Sequence, residues 1–168
     1  MKFDPTHNYS SEDLTVEKIL IFWKFSELIK TLLIMASPSM EKIEIVGFGS
    51  TTEGLADNFN TYFSSTVNCY KSNGLLNDAI IEKLNDLNTF LGEKRKDSNS
   101  PFWDDFMLDK NSDWEIVRFK AKTILLLLKF ENLELRHNES SEQESKQDNG
   151  YIIVEKSVKQ IKKKKSNK

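Results

Sequence analysis

Oxygen-bearing side chains alternate in one short segment, Asp109-Lys110-Asn111-Ser112-Asp113. Such alternation opens a calcium loop, in which successive side-chain oxygens point at one ion. The sixth position of that loop is normally glycine and the twelfth a bidentate glutamate, but this chain has Trp114 and Lys120 there. Helix capping by Ser112 and Asp113 explains the same residues. The sequence therefore predicts neither a metal nor a cofactor at this segment.

A glycine-containing turn, Gly47-Phe48-Gly49-Ser50, follows a β-branched stretch and precedes a helical pattern. A dinucleotide-binding turn needs this context, but Thr52 occupies the place of its third glycine. The turn also resembles the phosphate-gripping turn of minimal nucleotidyltransferases. That family's next feature, two metal-binding carboxylates separated by one residue, is replaced here by Asp57-Asn58-Phe59-Asn60. A nucleotide-binding or nucleotidyltransferase-like enzyme that uses Gly47 to Ser50 stays as an alternative to an ordinary tight turn.

The residues that serve most often as nucleophile or base are few and scattered. His7 and His137 lie at opposite ends of the region expected to fold, without a neighbouring carboxylate or hydroxyl partner. Cys69 is the chain's one cysteine, and we expect a buried, inert thiol. Nothing in the sequence assembles a nucleophile with its base, so we predict no catalytic residues and a protein that is not an enzyme.

Acidic and aromatic residues interleave just before the last predicted helix. The five candidate partner-binding residues are Trp103, Asp104, Asp105, Phe106 and Asp109. Carboxylates speed the encounter with a basic protein, and a large aromatic side chain is the usual energetic centre of an interface. The alternative is a capped helix start whose aromatics face inward and whose acids are solvated. Both interpretations predict a buried Trp114.

A lysine run, Lys162-Lys163-Lys164-Lys165, lies near the C-terminus. Several such charges bind phosphates without sequence preference and in a salt-sensitive way. The run lacks the arginines and aromatic rings that read or stack on bases. A nucleic-acid-associated protein is therefore a second alternative, and a solvated tail is the expected structure.

Composition places the chain among globular proteins, with 38% hydrophobic and 30% charged residues in 168 positions. A single cysteine excludes an internal disulfide framework and fits a reducing compartment. The chain has 24 basic and 26 acidic residues, of which seven lysines and one glutamate lie in 151–168. The first 150 residues thus hold 17 bases against 25 acids, and the body is acidic while the tail is basic.

Hydrophobic periodicity predicts a mostly α-helical fold, a compact bundle of four to five helices. The helical segments are expected at about 14–35, 55–70, 76–91 and 113–130, with a short helical turn opened by Pro101. A single short β element is expected between Ile43 and Phe48. The first helix is apolar over most of its circumference, which is typical of the central helix of a bundle.

The last predicted helix carries two apolar faces. Trp114, Val117 and Ile124 belong to one face, and Ile116 and Phe119 belong to the opposite one. Such a helix must be sandwiched, either inside its own bundle or between the bundle and another chain. We favour the first alternative because a buried internal helix needs no partner.

We divide the chain into a helical domain at 1–137, a disordered polar linker at 138–150 and a basic tail at 151–168. Whether Tyr151-Ile152-Ile153-Val154 joins the fold is left open. Charged residues interrupt the most apolar window, 19–36, which argues against a membrane span, and the N-terminus does not have the form of a signal peptide. We expect a cytoplasmic protein.

These features favour a non-enzymatic intracellular protein that binds a basic partner. A small, acidic, helical protein of this kind fits the profile of a bacterial immunity protein that neutralises a nuclease toxin by covering its basic active site. This hypothesis comes from class and charge, since no motif carries it.

Overall fold

In the computed structural model, the described residues are 1–9, 16–37, 51–138 and 158–166. Within these ranges the protein is mostly α-helical, as the sequence predicts, with one small antiparallel sheet. The helices and strands are α1 (Glu17–Met35), α2 (Thr51–Phe63), α3 (Val67–Ser72), α4 (Asp78–Lys94), α5 (Ser112–Leu127), β1 (Leu133–Asn138) and β2 (Val158–Lys163). The expected β element between Ile43 and Phe48 lies outside the described residues.

Helix α1 is central, as its broad apolar surface predicts. Leu28, Ile29 and Leu32 have no exposed surface, and α1 packs against α2, α5 and β1. The N-terminal residues close one side of it, where the ring of Phe3 meets that of Phe25 at 4.9 Å, edge to face. None of the helices in the described ranges is long and apolar enough to span a membrane.

The predicted helix over 55–70 is two helices in the structure. A turn at 64–66 separates α2 from α3 and lets Tyr70 point back into the core. The hydroxyl of Tyr70 donates to the carbonyl oxygen of Tyr62 at 2.5 Å, and burial raises the pKa of Tyr70. The break gives a buried phenol a buried acceptor, which a continuous helix would not provide.

Helix α4 also differs from the sequence-based expectation at its end. The sequence predicts an end at about residue 91, just before Gly92, but the helix continues through Gly92 to Lys94. Gly74 has the positive φ of +70° that makes glycine useful, and it lies in the turn between α3 and α4.

Helix α5 buries only one of its two apolar faces in the described structure. Trp114, Val117 and Ile124 are buried, whereas Phe119 is 71% and Leu126 59% exposed. No described element covers the second face, so the described part of the chain does not show the sandwiched arrangement that the sequence favours.

Strands β1 and β2 form an antiparallel pair in which Leu135 lies opposite Ile161 and Glu134 opposite Lys162. Ile161 is only 2% exposed and belongs to the same core as Leu133 and Leu135. The sequence analysis expected a solvated basic tail here and missed both strands. The expected linker at 138–150 lies outside the described residues except for Asn138, which ends β1.

Candidate functional site

The segment between α4 and α5 carries all five candidate partner-binding residues and is tied firmly to the core. Pro101 opens a first 3₁₀ turn (Pro101–Trp103), which the sequence predicts. Phe102 is fully buried and stacks on Trp114 with ring centroids 4.7 Å apart. The indole Nε1 of Trp114 donates to the carbonyl oxygen of Phe102 at 2.7 Å. The buried Trp114 expected from the sequence is therefore an anchor of this segment.

Trp103 is half-buried and serves the fold. Its Nε1 lies 3.2 Å from the carbonyl oxygens of both Lys94 and Asp97 and donates to them. Its ring meets that of Phe102 edge to face at 4.7 Å. Trp103 thus joins the end of α4 to the first 3₁₀ turn, and only part of its ring is available to a partner.

Asp105 caps a helix that begins 54 residues earlier. Its carboxylate accepts hydrogen bonds from the backbone N–H of Thr51 at 2.8 Å and of Thr52 at 2.9 Å, and from the Thr52 hydroxyl at 3.0 Å. Burial acts to raise the pKa of this carboxyl, but the hydrogen bonds from Thr51 and Thr52 outweigh burial and hold the pKa below its ordinary value of 3.8. The sequence analysis treated Asp105 as a solvated charge, and that expectation is wrong.

The remaining three candidates are presented to solvent on and beside a second 3₁₀ turn (Asp105–Met107). Phe106 is 79% exposed, the highest exposure of any large aromatic side chain among the described residues. Asp104 is exposed and accepts a hydrogen bond from the Phe106 N–H at 3.0 Å, and Asp109 is exposed three residues further on. We call Asp104, Phe106 and Asp109 the Phe106 surface.

The second turn is also fixed from the side of α5. The Arg118 guanidinium donates to the carbonyl oxygen of Leu108 at 2.8 Å. The Phe106 surface is therefore held at three points, by the buried Phe102, by the Asp105 cap and by Arg118. A large apolar ring between carboxylates on such a support is suited to contact another macromolecule.

The residues of the calcium-like segment have other roles. Asn111 is the N-cap of α5 and accepts from the Asp113 N–H at 2.8 Å. Asp113 forms an ion pair with Lys94. Among the described residues, no three histidine, cysteine, aspartate or glutamate side chains come together as metal ligands do.

The other residues whose side chains could take part in chemistry or bind phosphate lie apart from this segment. Cys69 is exposed, so the expectation of a buried thiol is wrong. His7 packs edge to face on Tyr9 at 4.6 Å at the N-terminus. Lys162 and Lys163 belong to β2, and the Lys164 amine donates to the carbonyl oxygen of Glu131 at 2.9 Å. The turn from Gly47 to Ser50 lies outside the described residues.

Sequence reasoning grouped these five residues by their types but could not separate their roles. The structure brings the five residues together and divides them into a supporting pair, Trp103 and Asp105, and the exposed Phe106 surface. It also leaves exposed the second face of α5, which the sequence analysis had noticed and assigned to the interior. Comparison of the chain with protein-family models, with curated proteins and with solved structures finds no match.

Proposed function

We propose that this protein is a non-enzymatic binding protein that docks a basic protein through the Phe106 surface. The observation that carries the proposal is the 79% exposure of Phe106 on a turn whose neighbours are buried or hydrogen-bonded. An apolar ring of this size gains by leaving water, which favours a partner that covers it.

The contacts that hold the turn favour binding, because the backbone around Phe106 has little conformational freedom left to lose on association. Phe102, Asp105 and Arg118 already fix the backbone on both sides of Phe106. Ordering a mobile loop on association costs free energy, and a preorganised loop avoids most of that cost. Phe106 would then act as a hot spot, whose truncation speeds dissociation.

The charge of the body favours a basic partner. Asp104 and Asp109 flank Phe106, and residues 1–150 hold 25 acids against 17 bases. Complementary charge accelerates the encounter with a cationic surface and suppresses anionic competitors. Because exposed charges are screened over about 8 Å at physiological ionic strength, this contribution should fall as salt is added.

The specific form of the proposal is a bacterial immunity protein acting in the cytoplasm on a nuclease toxin. Its support is the combination of small size, acidic body and an exposed aromatic anchor. Once a partner has been captured from the native host, a direct test expresses that partner alone and together with this protein in a bacterial host. Growth arrest by the partner, relieved by the wild type but not by Phe106→Ala, is the result expected of an immunity protein.

Binding is tested by capture from the native host with four forms of the protein. These are the wild type, Phe106→Ala, the double variant Asp104→Lys/Asp109→Lys, and Phe119→Ala as the matched control for loss of an exposed ring. Asp105 is left intact in all of them because it holds α2. A captured protein is then purified, and its association and dissociation rates are measured at several salt concentrations.

We expect a basic partner that the double variant binds about tenfold more slowly at low salt, with a weaker salt dependence. We expect Phe106→Ala to speed dissociation about 30-fold, the equivalent of a hot spot of about 2 kcal/mol. Phe119→Ala should retain wild-type rates. Equal binding by all four forms, or a partner that is acidic, contradicts the proposal.

A further inference from the structure

The second face of α5 carries four of the seven exposed large apolar side chains among the described residues. Four side chains make it up: Ile116, Phe119, Leu126 and Leu127, with exposures of 40%, 71%, 59% and 44%. At about 100° per residue, Phe119 and Leu126 lie opposite the buried face formed by Val117, Ala121 and Ile124. Ile116 and Leu127 lie at the margin between the two faces. A groove of about 500 Å³ lies beside Ile116 and Phe119, in the N-terminal half of α5, and Lys83 and Asp86 of α4 also line it.

Two unpaired charges of opposite sign flank the centre of this face. Glu115 and Lys122 are both exposed and make no hydrogen bond or ion pair within the described part of the chain. They are seven residues apart, which is two turns or about 10 Å along the helix. Phe119 lies between them, and all three project within about 60° of one another around the axis.

We propose that α5 pairs with α5 of a second copy of this chain, antiparallel, about a two-fold axis near Phe119. That axis places Glu115 of each copy beside Lys122 of the other, so the two opposite charges satisfy each other twice. The same axis brings Phe119 close to its own counterpart. It sets Ile116 of one copy level with Ala121 of the other, and Leu126 level with Asn111 just before the helix. Self-complementarity of this kind is what an isologous interface requires.

The length of α5 limits the area that this interface can bury. Sixteen residues span about 24 Å, so one helix face buries less than the roughly 800 Å² per partner of a standard interface. An interface of this size is typical of weak or transient association, so we expect a weak dimer. It leaves the Phe106 surface outside its helix face and does not depend on the proposed function.

The test is sedimentation velocity from about 1 to 500 µM with charge-reversed variants. In a homodimer of Glu115→Lys or of Lys122→Glu, both of the symmetry-related contacts between positions 115 and 122 join like charges. Each variant should therefore raise the dimer dissociation constant at least about tenfold. An equimolar mixture of the two single variants should associate again, because both contacts of the mixed dimer then join opposite charges. The double variant Glu115→Lys/Lys122→Glu should recover wild-type association by itself.

Net charge does not explain that pattern. The formal charge of −2 becomes 0 in Glu115→Lys and −4 in Lys122→Glu, so the two variants have no general attraction for each other. Glu17→Lys makes the same change at an exposed position on α1 and should dimerise as the wild type does. Phe119→Asp should abolish the dimer while its far-UV circular dichroism and melting temperature stay close to the wild type, since the ring is largely exposed.

Three results overturn the proposal. The first is a wild type that stays monomeric up to 500 µM. The second is a dimer that Phe119→Asp leaves intact, because the interface then lies elsewhere. The third is a mixture of the single charge variants that associates no better than either alone, because the two copies then do not pair antiparallel about Phe119.

Discussion

The carboxylate of Asp105 stabilises a helix whose first residue is 54 positions away. Thr51 and Thr52 offer two of the N–H groups that the first turn of an α-helix leaves without intrahelical partners, and Asp105 accepts from both. Its negative charge also opposes the positive end of the helix dipole of α2. One side chain thereby connects the start of α2 to the turn that displays Phe106.

Replacement of Asp105 tests this cap. Asp105→Ala removes both acceptors and should lower the free energy of unfolding by about 1–2 kcal/mol, the usual cost of a lost N-cap. Asp105→Asn keeps one acceptor without the charge and should cost less. Urea unfolding at pH 7 measures both, and Asp104→Asn, which changes the exposed neighbour, is the matched control and should lose only a few tenths of a kcal/mol.

The charge of Asp105 also makes the free energy of unfolding depend on pH. Its pKa in the folded protein is depressed below 3.8, so folding favours the ionised form. The stabilisation is present at pH values above the ordinary pKa of an unfolded aspartate, about 3.9, and is lost as the pH falls through the lower folded value. The wild type should therefore exceed Asp105→Asn in stability at pH 7, and this difference should shrink below pH 4. A difference that stays constant to pH 2 would show that the charge contributes nothing.

The roles of neighbouring aspartates are the part of the site that the sequence could not predict. Asp104 and Asp105 are adjacent and of one type, yet the first is exposed and the second caps α2. What separates them is the position of Thr51, which becomes their neighbour only when the chain folds. Local patterns singled out the segment from its residue types. The different roles of its two aspartates depend on a contact of long sequence separation.

At the scale of the elements, apolar periodicity predicted the helices, whereas the pairing of the two strands was not predicted. The burial of one face of α5 and the central place of α1 follow from apolar spacing alone. Leu133 and Leu135 do alternate in β1, but β2 offers Ile161 among lysines and has almost no signal of its own. Its strand conformation comes from hydrogen bonds with β1, more than twenty residues earlier, and such pairing is invisible to a local reading.

Ile161 provides the test of that sheet. It is 2% exposed, lies opposite Leu135 and belongs to the core cluster, so Ile161→Ala should lower the free energy of unfolding by about 2–4 kcal/mol. Lys165→Ala changes an exposed residue four positions on and should have an effect within about 0.5 kcal/mol. Denaturant unfolding measures both. A harmless Ile161→Ala would restore the expectation of a basic tail that the fold does not need.

At the scale of the whole molecule, one apolar cluster joins parts of the chain that the sequence analysis separated. Trp114 at the start of α5, and Phe102 stacked on it from the first 3₁₀ turn, belong to the same core as Leu135 and Ile161 in the sheet that follows the end of α5. Helix α5 carries Val117, Ala121 and Ile124 continuously between them. The helical bundle and the sheet therefore share one hydrophobic core, which predicts that they unfold together.

Two spectroscopic probes test whether the molecule unfolds as one unit. Far-UV circular dichroism follows the helices, and tryptophan fluorescence follows Trp23, Trp103 and Trp114 together, none of which lies in the sheet. In the wild type the two urea transitions should coincide. In Ile161→Ala both midpoints should move down together and still coincide, because a cavity beside the sheet weakens the core that Trp114 shares. If the sheet were an independent attachment, the substitution would leave the midpoint of the tryptophan fluorescence transition where it is in the wild type. Coincident shifts would instead show that residues 158–163, although lysine-rich, stabilise the same cooperative core that supports the Phe106 surface.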